Sequence, residues 1–519
     1  MTVTKLFDKQ VEVSPDATFL RYGEQSLTYR QTYEQSRRWA NAFGAAGLST
    51  GDRAGVLSKN NLDCMPAYLG ALRAGVVPVP LNYRLAPGEW AYILDDSGSK
   101  VCICDESCGE GLDTVRRELA SVGSLVSLGG QSREGWVSSG DWLSSGDGAQ
   151  VEPDLSGDHA CFQFYTSGTT GRPKGAVATH TSTIETIRSA GPALGGSDES
   201  HLMVLPLFHI FGLIVAINAG FKGGSVIIRE EFNPADVVGM LSSGGIHIAP
   251  LVPAMMQACL ALVPDVAERD YPDLRLIVYG ASTIADETLR RAAEVFRCDF
   301  LQVYGMSEFA PITYLTPADH AEALSDAPEL LASAGKAAPD VELKVVDEQG
   351  ADVPTGETGE IICRGPMAME GYWDRREATE EALRGGWMHT GDAGRLDGDG
   401  YLFIQDRVKD MIVSGGENVY PREVEVVLFE HPDIVDAAVI GIPDEKWGEA
   451  VKAVVVLRQG ANLAEDQVID FCRGGLGGFK CPRSVDFIGQ LPRNPSGKVL
   501  KRELREPYWE GQRRQVGGS

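Results

Sequence analysis

Residues 165–175 read Tyr-Thr-Ser-Gly-Thr-Thr-Gly-Arg-Pro-Lys-Gly. Thr166, Ser167, Gly168, Thr169, Thr170 and Gly171 are all small or hydroxylated, and Lys174 follows them. Such a loop lets backbone N–H groups and hydroxyls approach phosphate oxygens, because little side-chain bulk intervenes. The lysine adds a positive charge within reach. The run Ala160–Tyr165 just before it is apolar enough for a buried strand. A strand, a Gly/Thr loop and a fixed lysine together point to a nucleotide-phosphate site. The pattern is not the common Gly-x-x-x-x-Gly-Lys-Ser/Thr loop, because Gly175 follows the lysine. A Gly/Thr-rich surface turn has the same composition, so the rest of the chain decides between the two.

Six further segments carry groups of the kinds such chemistry needs. Leu205–Leu213 holds His209 in an apolar setting. A lone histidine there is more often a satisfied core residue than a reactive one. Tyr279-Gly280-Ala281-Ser282 and Val303–Glu308 each bring a glycine to a strand end, where open α/β sheets bind ligands. Tyr304, with Gly305 and Ser307 beside it, suits stacking on a base, and Glu308 suits Mg²⁺. Asp392 follows a tight turn in Trp387–Asp392 and suits a pair of ribose hydroxyls. Asp406–Pro421 mixes charges with Gly415-Gly416, and Pro492–Lys498 sets a lysine on a Gly/Pro loop.

In this order, over nearly the whole chain, these segments resemble the adenylate-forming superfamily of acyl-CoA synthetases, adenylation domains and firefly luciferases. The resemblance implies a two-step reaction using ATP, Mg²⁺ and coenzyme A. A carboxylate attacks the α-phosphate of ATP, giving an acyl-adenylate and pyrophosphate; a thiol then attacks the mixed anhydride and AMP leaves. It assigns catalytic roles to Lys174, His209, Glu308 and Lys498, with Glu308 as the metal ligand. Thr166–Gly171 would meet the phosphates. Tyr304 would stack on adenine beside Gly280, Ala281 and Ser282, and Asp392 and Arg407 would take the ribose. Asp406 matches the hinge of a mobile C-terminal domain. In one pose Lys498 would act; in the other the Gly415-Gly416-Glu417 loop would replace it and line a thiol tunnel. Ser307 departs from the family's usual threonine but keeps the hydroxyl.

The resemblance also places an acid pocket at His209, Phe211, Tyr279, Gly280, Val303, Met306 and Ile312. The set is apolar and partly aromatic. Amino-acid-activating members carry an aspartate in the segment matching Phe208–Leu213, and this chain has none. A buried ammonium without a partner is costly, so a medium- or long-chain fatty acid or an aryl acid is expected. Trp447, Phe479, Lys480 and Arg483 match places where relatives hold CoA, with Cys481 where a base sometimes stands. The alternative acceptor is a carrier-protein phosphopantetheine arm. A homodimer is compatible with the resemblance.

The elements that must position these groups follow from the wider chain. It has 519 residues, 43% hydrophobic and 23% charged, which is too long for one core. The net charge is −26, which argues against nucleic acid and anionic membrane partners. That charge lies almost wholly before residue 407, because residues 407–519 hold 16 Lys+Arg against 17 Asp+Glu. An acidic carrier protein would be repelled by the N-terminal part, which favours free CoA. The ten cysteines are scattered, and Cys102, Cys104 and Cys108 lack the pairing a zinc site requires. Buried free thiols and a cytoplasmic location are expected. No signal peptide is expected from the first residues, which lack a basic segment followed by an apolar one, and the apolar stretch 202–219 is broken by Pro206, His209, Gly212 and Asn218, so a buried strand and helix fit it better than a membrane span.

The expected fold is α/β. A large N-terminal domain, 1–405, would hold layered α/β subdomains with largely parallel sheets and a barrel-like antiparallel β region from about residue 340. A small mobile α+β domain, 406–519, would follow. Residues 107–150 are rich in Ser and Gly and read as surface loops.

Overall fold

The apolar spacing of the first third alternates between helical and strand periods, and the elements alternate with it. The helix Tyr29–Ala45 starts at Thr28, whose hydroxyl accepts the Gln31 N–H while the Gln31 side chain accepts the Thr28 N–H. That reciprocal cap satisfies two amides that the helix itself cannot. The helix buries Trp39, Ala40 and Phe43. The strand Arg53–Leu57, the helix Cys64–Arg73 and the strand Val77–Leu81 follow.

This computed structural model describes the chain except residues 130–132, 147, 149–150, 152, 167–171, 192–193, 195–197, 283, 408–409, 415–416, 445, 494–498 and 510–519, and except the side chains of 406–407 and 417–418. Ser167, Gly168, Thr169, Thr170, Gly171, Gly415, Gly416 and Lys498 therefore lie outside the described residues.

A five-stranded parallel sheet runs in the order Val77–Leu81, Arg53–Leu57, Ser99–Cys104, Ser124–Ser127, Val137–Ser138. A nine-stranded sheet pairs Ser200–Met203, Ser225–Ile228, Ile248–Leu251, Leu276–Gly280 and Asp299–Met306 in parallel, with antiparallel strands at both edges. Ala160–Thr166, Lys174–Thr179 and Gly371–Tyr372 form a third, antiparallel sheet. The β region from residue 340 is a four-stranded sheet of Glu342–Val346, Gly359–Arg364, Met388–Leu396 and Leu402–Arg407. The last sheet centres on the hairpin Ile434–Asp444/Gly448–Leu457 and carries the helices Pro421–Phe429, Glu465–Gly475 and Lys501–Trp509. Ile412, Val424, Leu428, Val439, Val451 and Val468 form its core.

The chain packs into two compact units, residues 1–343 with 363–388, and residues 344–362 with 389–519. Packing thus groups strands 389–405 with the C-terminal part, ahead of the boundary expected at Asp406. A packing boundary and a hinge are different properties.

The reading of 107–150 as loops is corrected. Helices span Glu106–Thr114 and Ser139–Ser145, with strands Ser124–Ser127 and Val137–Ser138 between them. Asp105 and Ser138 cap the helices with their side chains, and Leu112, Val126 and Trp142 are buried. A few apolar anchors suffice where polar caps start the turns. The apolar stretch 202–219 forms the end of the strand Ser200–Met203 and most of the helix Ile210–Phe221, and among the described residues no helix is long and apolar enough to cross a membrane. All ten cysteines are free thiols, buried except Cys298.

Candidate active site

The segment read as a phosphate loop lies between the two strands of a hairpin. Thr166 pairs with Lys174, Tyr165 with Gly175 and Phe164 with Ala176 across the antiparallel ladder. The lysine is therefore the first residue of the returning strand, and its backbone is fixed by sheet pairing. Gly175 has a steric reason to be glycine: a Cβ there would meet Gln163 Nε2 at 2.5 Å. That amide in turn donates to the Tyr165 hydroxyl at 3.2 Å.

Glu308 is 6% exposed, and both Thr166 Oγ1 and the Tyr372 hydroxyl donate to its Oε1 at 2.9 Å. Lys174 Nζ lies 5.0 Å from the centre of the Tyr372 ring, within cation–π range. The structure thus brings together Thr166, Lys174 and Glu308, which lie far apart in sequence. It adds Tyr372, which sequence reasoning missed. Tyr372 reaches the site because Gly371–Tyr372 pairs with Ala176–Val177 on the returning strand. A buried carboxylate held by hydroxyl donors presents hard oxygen, the donor type that Mg²⁺ takes together with substrate phosphates and water. Glu308 fits such an ion. Among the described residues no three His, Cys, Asp or Glu side chains converge as a metal cage, and an ion shared with phosphates needs none.

Gly280 and Val303 are parallel neighbours in the large sheet, so both glycine-ended strands open at one place. A Cβ on Gly280 would lie 2.3 Å from the Val303 carbonyl oxygen, which explains the glycine. Ala281 follows in the left-handed region at φ 66°, exposed like Ser282. A non-glycine residue held there is uncommon and recurs at ligand sites. Tyr304, Gly305, Met306 and Ser307 are half-buried beside it. His209 precedes the helix Ile210–Phe221, whose residues from Gly212 to Gly220 are all buried. His209 and Phe211 sit half-buried at its entry, so His209 is not a core histidine.

Two of the expected pocket side chains are fully buried. Tyr279 and Ile312 are both 0% exposed. The Tyr279 hydroxyl lies 2.8 Å from His320 Nε2 and 3.1 Å from Gln302 Oε1, which anchors it inside the core. Ile312 packs with Phe309, Cys363 and Met367. Val303, Met306, Gly280, His209 and Phe211 remain as pocket candidates.

In the second unit Asp392 stands directly across the ladder from Arg407. A network holds the turn before it. Glu360 Oε1 accepts the Gly391 N–H at 3.3 Å, and Glu360 Oε2 lies 2.8 Å from His389 Nδ1. Thr390 Oγ1 donates to the Ile361 carbonyl at 2.7 Å and accepts the Asp392 N–H at 3.1 Å. Farther along, the Arg483 guanidinium lies 4.5 Å and Lys446 Nζ 4.6 Å from the Trp447 ring centre. Phe479 is 42% exposed, with Lys480 Nζ 5.6 Å from its ring. A half-buried Trp447 and an exposed Phe479, each flanked by cations, fit a nucleotide with phosphates. Cys481 is buried and presents nothing to a ligand.

Residues 7–373 match the family described as AMP-binding enzyme, and residues 423–498 match the AMP-binding enzyme C-terminal domain. A fatty acid–[acyl-carrier-protein] ligase of Streptomyces coeruleorubidus is 38% identical over 500 residues, covering 95% of this chain and 93% of that protein. A feruloyl-CoA synthase of an Amycolatopsis species is 38% identical over 508 residues, covering 96% and 98%. The o-succinylbenzoate CoA synthetase of Bacillus subtilis, solved with its acyl-adenylate intermediate, superposes with a TM-score of 0.84 at 30% identity, covering 96% and 97%. With the hairpin, the glycine-ended strands and the C-terminal block all in the expected order, the chain belongs to the AMP-binding, adenylate-forming enzyme family.

Proposed function

We propose that this protein is an ATP-dependent acid–thiol ligase that converts a hydrophobic carboxylic acid, through its adenylate, to an acyl-CoA thioester. The observation that carries the reading is the convergence of Thr166, Lys174, Glu308 and Tyr372 at the mouth of the phosphate hairpin. Step one must bring a carboxylate against a polyanion. Lys174 offsets part of that charge, and its sheet pairing means little reorganisation is needed at the moment of reaction. Thr166 and Tyr372 hold the Glu308 carboxylate in place. Mg²⁺ held by Glu308 would screen phosphate charge. Ser167–Gly171 line the phosphates, and Tyr304 with Gly280–Ser282 takes the adenine.

Asp392 and Arg407 take the ribose. Lys498 supplies the second cation of the adenylation step, and the C-terminal part turns about Asp406 so that Gly415-Gly416 replaces it for thiolysis. His209, Phe211, Gly280, Val303 and Met306 shape a largely apolar pocket, which suits a fatty or aryl acid. The named relatives act on acids of both kinds. Trp447, Phe479, Lys480 and Arg483 receive the nucleotide end of CoA.

A second acceptor reading, a carrier-protein phosphopantetheine arm, has support from the carrier-protein ligase among the relatives. A panel of fatty and aryl acids tests both. Acid-dependent pyrophosphate release is expected, then thioester formation with free CoA. Thioester formed on a carrier but not on CoA selects the second reading, and pyrophosphate release with no acid in the panel refutes both.

A further inference from the structure

The helix Pro87–Ser97 ends in Asp95-Asp96, with no basic residue in its last turn. Carboxylates there oppose the helix dipole, which favours cations at a C-terminus. A local rule broken in this way asks for a tertiary reason. Asp95 has one nearby: its Oδ1 accepts from the Ser121 amide and hydroxyl at 3.1 Å each. Asp96 reaches a different place. Its side chain is 10% exposed, and its Oδ2 accepts the Tyr165 hydroxyl at 2.7 Å. Tyr165 precedes Thr166 on the strand entering the phosphate loop.

The other carboxylate oxygen faces the strand leaving it. The Tyr92 hydroxyl, one helical turn before Asp96, lies 3.2 Å from Asp96 Oδ1 and 3.1 Å from the Pro173 carbonyl oxygen. Its single proton is shared between these two acceptors. Arg375 pairs with Asp96 Oδ1, and the Arg172 guanidinium lies 5.0 Å from the Tyr92 ring centre. Behind Tyr165 the chain continues: Gln163 Nε2 donates to its hydroxyl, and Arg53 Nε donates to Gln163 Oε1 at 3.2 Å. Burial, then the bond to Asp96, pushes the Tyr165 hydroxyl well above the usual tyrosine range, so it stays a donor.

We infer that Asp96 is a positioning residue that clamps both feet of the phosphate hairpin, one through Tyr165 and the other through Tyr92 and Pro173, and so sets the loop for a polyphosphate. It touches no substrate. The inference rests on reading 167–171 as the phosphate loop. It predicts a loss specific to ligands with several phosphates, since such a loop contributes most to them.

Binding of ATP and of AMP to the full-length protein, measured by titration calorimetry without any acid, tests the clamp apart from the ligase reading. Asp96→Ala is expected to weaken ATP about tenfold or more while AMP changes less than about twofold. Asp96→Asn keeps an oxygen for Tyr165 and loses the ion pair, so it falls between. Tyr92→Phe deletes one hydroxyl and is expected to weaken ATP by a few-fold. Equal weakening of ATP and AMP makes Asp96 a mere fold element and overturns the inference. Unchanged ATP affinity in Asp96→Ala overturns it too. If Asp96→Ala does not fold, unchanged ATP binding by Tyr92→Phe overturns it alone.

Discussion

The phosphate hairpin and the C-terminal helix Lys501–Trp509 hold their surroundings by different means. Around the hairpin, neutral hydroxyls do most of the holding: Thr166 and Tyr372 donate to Glu308, and Tyr165 and Tyr92 donate to Asp96, which also pairs with Arg375. Around the helix, full charges pair. Lys501 meets Glu425 at 2.9 Å, Arg505 meets Asp410 at 2.7 Å, and Lys452 meets Asp486 at 2.7 Å beneath Tyr508. Hydroxyl bonds fix direction and leave a carboxylate its negative charge for a metal or cation. Ion pairs cancel charge and mainly fix position. The first arrangement suits a site that must stay electrically active, the second a platform that carries one.

The largest expected effect tests the platform. The Arg505 and Asp410 side chains are 13% and 11% exposed. Arg505→Met takes the paired cation away from a largely buried carboxylate, which costs up to about 3–5 kcal/mol. Replacing both partners, Arg505→Met with Asp410→Leu, should recover most of that loss. Denaturant melts of the C-terminal unit, followed by hydrogen exchange, give both numbers. If the single variant melts like the native protein, the pair contributes nothing and the contrast with the hairpin fails.

Next comes the cargo of that platform. Lys498 lies three residues ahead of the helix in the chain. Lys498→Ala should lower acid-dependent pyrophosphate release by about 10²–10³, the size of losing one preorganised charge-stabilising donor. Thioester formation from supplied acyl-adenylate should change only a few-fold. Equal loss in both half-reactions would place Lys498 in general binding rather than in adenylation.

What was legible in the sequence divides along the same line. The entering strand and the loop after it were readable as a phosphate candidate, because backbone access is a local property of small residues and Thr166–Lys174 supplies it within nine positions; that the chain returns from Lys174 as a second strand was not. Tyr372 and Asp96 were not readable, because their roles arise only when partners 64 and 69 residues away fold against them. Tyr279 and Ile312 show a different limit. Strand alternation tells which residues share a face, but not which face opens to solvent. Asp392 and Arg407 were paired by resemblance, and the ladder sets them opposite one another.

A pH series separates the two units. In the N-terminal unit His180 and His201 are 1% and 2% exposed. Burial first, then the His159 and N-terminal charges, pulls His180 down to about 4, and its Nδ1 accepts the Val3 N–H at 3.3 Å. Burial also pulls His201 down to about 4, helped by Arg275 and Lys222. Between about pH 6.5 and 4 the unfolded chain therefore binds protons that the folded chain refuses. Stability falls through that window by up to about 3 kcal/mol per histidine, then levels. In the C-terminal unit burial alone would raise the Asp486 carboxyl, but bonds from Lys452 and Tyr508 hold it below the usual aspartate range. Its contribution is complete above about pH 4 and is lost only as the pH falls through its lowered value. Hydrogen exchange across pH 7 to 3 should thus show the N-terminal unit losing protection first. His180→Gln with His201→Gln should flatten that early limb and leave the C-terminal unit unchanged. Simultaneous loss in both units, or earlier loss in the C-terminal one, would mean that buried histidines do not set the acid response and that the charge-paired platform is the weaker half.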